Sequence, residues 1–142
     1  MLGKTYDSQV CSIARTLELV GERWSLLILR DAMFAGFTRF SQFQKSLGVA
    51  TNILTKRLED FVADGLMERR QAAGEQAEYV LTRKGLELKP VIIALTDWGD
   101  KWVRPGPISY RDQSDGKAVE LQLRRPDSDK PLDVTDVVAV LR

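Results

Sequence analysis

The stretch RFSQFQKSLGVATNILTKRLEDFVADGLMERR, from Arg39 to Arg70, reads as two short helices joined by a tight turn and followed by a strand. Phe40, Phe43 and Leu47 recur at i, i+3 and i+7, which places them on one apolar face of the first helix. Ser41 suits the N-cap of that helix, where a hydroxyl can accept an orphaned backbone N–H. Gly48 suits its end, because glycine accepts the left-handed backbone that closes many helices. Thr51 or Asn52 can cap the second helix, whose apolar stripe is Leu54, Leu58, Phe61 and Val62. Ala63-Asp64-Gly65 closes it.

With Leu54 and Leu58 turned inward, the 3.6-residue period turns Thr51, Asn52, Thr55, Lys56 and Arg57 outward. Thr and Asn carry donors and acceptors that meet base edges in a major groove, while Lys and Arg neutralise phosphates. From Arg39 to Leu58 there are four basic residues, Arg39, Lys45, Lys56 and Arg57, and no acidic one. Glu59 and Asp60 follow only where such a helix would be leaving the DNA. The pattern reads as a helix-turn-helix with its recognition helix at 51–64, and Arg39 and Ser41 join the candidate DNA contacts. The competing reading is a helical hairpin with a solvated basic edge.

Composition bounds the rest. The chain has 142 residues, enough for one domain with an appendage and a sizeable core. It is 44% hydrophobic and 29% charged, an ordinary globular balance. Its 21 basic and 20 acidic residues nearly cancel, so any affinity for nucleic acid must come from local placement. No apolar run reaches the ~18 residues of a membrane helix, and no signal-peptide layout is visible. The lone cysteine fits a reducing cytoplasm. Histidine is absent, which excludes His-based general bases, Ser-His-Asp triads and nearly all zinc ligand sets. Glu59 and Asp60 are adjacent on a helix and do not face each other as a catalytic pair would. No catalytic residue, metal or cofactor is expected.

Before the central stretch, Tyr6–Gln9 is a polar lead-in in which Asp7 or Ser8 can cap a helix at about 11–20. Ile13, Leu17 and Val20 form the apolar side of that helix. A second helix, about 22–33, is apolar on nearly every side and reads as buried. Beyond the central stretch, residues 66–70 and 78–81 favour strands around a flexible tip at 71–77. A hairpin there, spanning 66–81, looks like a wing, with Arg69, Arg70 and Gln76 as candidate contacts to the minor groove or phosphates. The plain alternative is a hairpin that shields the core. Thr82 then caps a long helix to about Val103, bent at Pro90. Along it Leu88, Ile92, Leu95, Gly99 and Trp102 alternate at steps of four and three, with Trp98 beside them, the spacing of a helix–helix seam. That seam serves either a homodimer interface or packing on the helix's own domain.

Taken together these residues resemble the HxlR-type winged helix-turn-helix regulators of the MarR-like group. The resemblance is carried by Cys11–Arg30, Arg39-Phe40-Ser41-Gln42-Phe43, Leu54–Leu58, Asp64-Gly65-Leu66, Tyr79–Thr82 with Gly85, and Trp98-Gly99. It implies a bacterial, dimeric, DNA-binding transcription regulator whose dimer is built from the first and last long helices. Cys11 matches a cysteine that some members use as a redox or electrophile sensor. A thiol in a helix's first turn feels the positive end of the dipole, which favours the thiolate, and Arg15 adds to that. The competing reading is a small buried residue at a dimer interface. Some longer members carry a Cys-rich, zinc-ribbon-like tail; the segment here resembles one in length and strand layout but has no Cys or His, so a small sheet packed on the body without metal is expected.

The expected fold class is mostly α with small β (α+β). Residues 1–103 form the winged helix-turn-helix and dimerisation domain, and residues 104–142 a small β-rich extension. In that extension Pro105-Gly106-Pro107 is a linker, Asp115-Gly116 turns a hairpin between 108–112 and 119–123, and 137–141 is a third strand. The extension either helps form an effector pocket or stabilises the dimer. The expected function is a cytoplasmic homodimeric regulator that reads an inverted repeat in double-stranded DNA, modulated by thiol oxidation or a small effector. The alternative is a winged-helix module that binds an acidic protein partner.

Overall fold

Cys11 opens the first helix of the computed structural model, which describes residues 11–142. Helix α1, Ser12–Val20, is N-capped by Cys11, whose Sγ accepts the Ala14 N–H at 3.3 Å. The expected caps Asp7 and Ser8 lie outside the described residues, and the cysteine itself performs the cap. Glu22 then starts helix α2, Ser25–Arg30, by accepting the Trp24 N–H at 2.9 Å. The expected helix at 22–33 is therefore shorter. After Arg30 the chain widens into one turn of π-helix, Asp31–Ala35. Buried Asp31 holds that turn in place: one carboxylate oxygen takes the Arg30 Nε–H at 2.8 Å, and the other takes the Ser46 hydroxyl at 2.7 Å.

Helix α3 is Phe40–Leu47 and helix α4 is Thr51–Ala63. Ser41 does not cap α3, and sits exposed inside its first turn. The N-cap is Arg39, and the Gln42 side-chain oxygen accepts the backbone N–H of both Thr38 and Arg39 at 3.0 Å. Gly48 ends α3 at φ 63°, the left-handed conformation its position requires. Neither Thr51 nor Asn52 caps α4. Its N-cap is Ala50, which has no side-chain acceptor, and Thr51 instead receives the Gln44 amide at 2.7 Å across the turn.

Strands β1, Met67–Arg70, and β2, Glu78–Leu81, pair antiparallel from Met67↔Leu81 to Arg70↔Glu78. The Tyr79 N–H also donates to the Thr38 carbonyl at 2.7 Å, so the residues just before α3 lie along the second strand's edge. Thr82 accepts the Gly85 N–H at 3.2 Å and caps helix α5, Arg83–Leu86. The expected single helix from Thr82 is two. Helix α6, Lys89–Trp102, begins anew after a break, and Pro90 lies in its first turn. There its missing N–H removes no helical bond, so it starts a helix rather than bending one.

Among the described residues, those up to Ile92 form one compact unit and 93–142 another, the division falling inside α6. The core of the first is Val20, Ile28, Leu29, Phe43, Val49, Leu54, Leu58, Phe61, Leu66, Met67 and Ile92. Helices α1 to α4, the start of α6 and strand β1 thus contribute to one shared core, which fixes how α4 and the hairpin are presented. In the second unit the turn at Asp115-Gly116 forms as expected, with Gly116 at φ 74°. The small sheet does not: pairing is limited to single bridges, Arg111↔Ala118 and Arg124↔Pro131. Residues 137–141 form no strand and are exposed. Among the described residues no helix is long and apolar enough to cross a membrane.

Candidate nucleic-acid interface

Helix α4 presents its first turn to solvent. Thr51 and Asn52 are exposed, and Ile53 beside them is 38% exposed, an apolar side chain that the periodicity argument passed over. Its signal was available, since a three-residue outward run at a helix start includes the residue between the polar pair and Leu54. Thr55 is half-buried and donates its hydroxyl to the Thr51 carbonyl at 2.8 Å. Lys56 extends into solvent and pairs with Asp60, one turn on, at 2.9 Å. Exposed i,i+4 pairs of this kind contribute only about 0.3–0.5 kcal/mol, so Lys56 can exchange its carboxylate for a phosphate at small expense.

Arg57 behaves differently. Its side chain is only 19% exposed and lies between Asp60 at 2.9 Å and Glu22 at 3.9 Å. The reason is angular: three residues after Leu54 and four before Phe61, Arg57 borders the buried stripe rather than opposing it. It ties α4 to the segment before α2.

Arg39 and Ser41 sit at the start of α3, both exposed, with Arg39 Nε 3.7 Å from Glu78. On the hairpin, Arg69 donates to the Gln71 side-chain oxygen at 2.8 Å and Arg70 pairs with Glu68 at 3.1 Å. Gln76 is exposed at the tip. Lys56 on α4, Arg39 at the head of α3, and Arg69 and Arg70 on the hairpin are thus exposed cations, each paired with a neighbouring polar or acidic side chain.

Cys11 is exposed at the head of α1. The seam residues of α6 divide: Ile92 is in the core and Leu88 packs against it, while Leu95, Trp98 and Trp102 are exposed, the tryptophans by 62% and 65%. Ile13 and Leu17 of α1 are exposed as well.

Two helices across a glycine-closed turn, followed directly by a two-stranded hairpin, define a winged helix-turn-helix. The profile of the HxlR-like helix-turn-helix family matches residues 19–107, and the chain belongs to that family. An HTH-type transcriptional regulator of Mycobacterium tuberculosis is 42% identical over 117 residues, 79% of this chain and 73% of that protein. The HTH-type transcriptional regulator YdeP of Bacillus subtilis is 32% identical over 99 residues, 68% of this chain and 77% of its own. Among solved structures, the candidate transcription factor PA1607 matches at TM-score 0.82 and 39% identity, covering 94% of this chain and 96% of that one. The redox regulator HypR in its reduced form matches at TM-score 0.57 and 27% identity, covering 63% of this chain and 91% of its own. The protein is a transcriptional regulator with a helix-turn-helix DNA-binding domain, like its bacterial relatives.

Proposed function

We propose that the protein acts as a homodimer that reads an inverted repeat in double-stranded DNA through α4 and the wing. One observation carries this reading: the first turn of α4 presents Thr51, Asn52 and Ile53, then Lys56, with no acidic residue until Glu59. Because Ala50 supplies no side-chain cap, the first N–H groups of α4 keep their positive ends open to a phosphate. Two-fold symmetry sets two such helices about one DNA turn apart, which calls for an inverted repeat. The exposed Leu95, Trp98 and Trp102 of α6, with Ile13 and Leu17 of α1, supply the apolar surface for the dimer.

The experiment is fluorescence-anisotropy binding to the duplex upstream of the gene against a scrambled duplex, across a salt series. Tight, salt-sensitive binding to the native duplex alone supports the reading. No binding to either at low salt favours the protein-interaction module instead.

Modulation follows two routes. Cys11 is an exposed thiol at a helix N-cap, and hydrogen peroxide taking two electrons from it and a second thiol, of a small molecule or of the other subunit, would leave a disulfide and two waters. The redox regulators among the structural neighbours favour this route. A small effector has a candidate seat in an open cleft of about 400 Å³ lined by Glu59, Val62, Ala63, Arg69 and Tyr79. That cleft touches both α4 and the wing, so an occupant would bear on their spacing.

A further inference from the structure

The second unit, residues 93–142, has almost no interior: Ile93 is its one buried residue. Val134, Val138, Val140 and Leu141 are 75%, 80%, 82% and 101% exposed, and Ile108, Val119, Leu121 and Leu123 are about half exposed. Local polar contacts define its turns. Asp112 accepts the Ser114 hydroxyl and N–H at 2.6 and 2.8 Å, and Asp133 does the same with Thr135 at 2.6 and 3.0 Å. These bonds hold both carboxyls below the usual range. Tyr110 meets Thr96 of α6 at 2.6 Å, and the Leu132 N–H reaches the Leu123 carbonyl at 2.6 Å. Exposed hydrogen bonds of this kind contribute little net stability, and a segment without burial does not keep one shape by them alone. The shape nonetheless recurs. The match to PA1607 covers 94% of this chain, which leaves too few residues outside it to omit the extension. Within the unit these apolar side chains find little cover.

We propose that residues 105–142 form an arm whose apolar side chains are covered by a second copy of this chain, so that each protomer clasps the other. This rests on the homodimer reading and extends it from α1 and α6 to the tail. Quantity supports a stable partner. Trp98 and Trp102, at 62% and 65% exposure, offer roughly 300 Å² of ring surface between them. The exposed aliphatic side chains of the arm add to that surface, and each side of a standard interface contributes ~800 Å². Monomers rarely leave more than about 300–600 Å² of apolar patch in water. A surface of this kind needs cover from synthesis onward, and only another copy of the chain is made at the same time and in the same amount.

The test uses the full chain with p-benzoyl-phenylalanine at position 138, tagged and untagged copies being co-expressed and irradiated. A product joining tagged to untagged chain is expected. Alongside it, sedimentation equilibrium compares the parent with the double variant Val138→Asp and Val140→Asp. The dimer dissociation constant should rise at least tenfold, with helical circular dichroism unchanged. A parent that sediments as a dimer but gives no two-chain product, with an unchanged constant in the variant, overturns the arm and leaves the dimer standing. A parent that is monomeric at every concentration overturns both. Cross-linking only within one chain, or only to a different protein, overturns the arm.

Discussion

The Gln44 amide of α3 donates to the Thr51 hydroxyl of α4 at 2.7 Å, so the two helices of the helix-turn-helix are joined at the first turn of α4. One lone pair of that hydroxyl is thereby committed to the fold, and its proton stays available to DNA. Gln44→Ala should lower unfolding free energy by about 0.5–1.5 kcal/mol in urea titration. It should also blunt the preference for the native duplex, because Thr51 loses its orienting partner.

Base reading and phosphate contact should separate by residue. Asn52→Ala and Thr55→Ala should relax sequence preference, by about 1–3 kcal/mol where a good base contact is lost. Lys56→Ala and Arg39→Ala should weaken binding to every sequence and reduce the salt slope by roughly one unit. Equal loss on all duplexes for Asn52→Ala would mean that the reading face lies elsewhere on α4.

Ile53 offers a test by a single methyl group. An exposed apolar side chain on a recognition helix is suited to the thymine C5-methyl in the major groove. Replacing thymine by deoxyuridine, one position at a time, should weaken parent binding at one base of each half-site by about 0.8 kcal/mol, the worth of one buried methylene-sized group. Ile53→Ala should be blind to that change. A parent indifferent to every replacement excludes this contact and leaves the polar contacts untouched.

The two roles of Cys11 come apart in two substitutions. Cys11→Ser keeps an N-cap acceptor for the Ala14 N–H, so thermal stability should hold while any response of DNA binding to oxidants disappears. Cys11→Ala removes both, and should also destabilise by about 0.5–2 kcal/mol. If the serine variant responds to oxidants like the parent, Cys11 is a cap only.

Gly85 is buried, and a Cβ there would collide with the Leu66 carbonyl oxygen. That carbonyl accepts the Thr82 N–H at 3.1 Å and marks where β1, β2 and α5 converge. Gly85→Ala should lower stability by about 1–3 kcal/mol through overpacking, seen as an earlier urea midpoint.

Much of this architecture was legible in the chain itself. The apolar periods of Phe40-Phe43 and of Leu54-Leu58-Phe61, Gly48 between them, and the strand pair around 71–77 are short-range signals, and the structure carries them as read. The segregation of charge on the first half of α4 was equally plain, since it needs only the order of residues and the helical period. What sequence order could not decide is where polar groups find partners far along the chain. Thr51 is held by Gln44 rather than capping, Arg57 turns back toward Glu22, and Asp31 is buried against Ser46 and widens the turn that precedes α3. Each depends on groups seven or more residues apart being brought together by the core. The extension makes the same point from the other side. Val119, Leu121 and Leu123 alternate as a strand should, but alternation only marks a surface that wants cover, and a strand forms only where tertiary or quaternary contact supplies a neighbour.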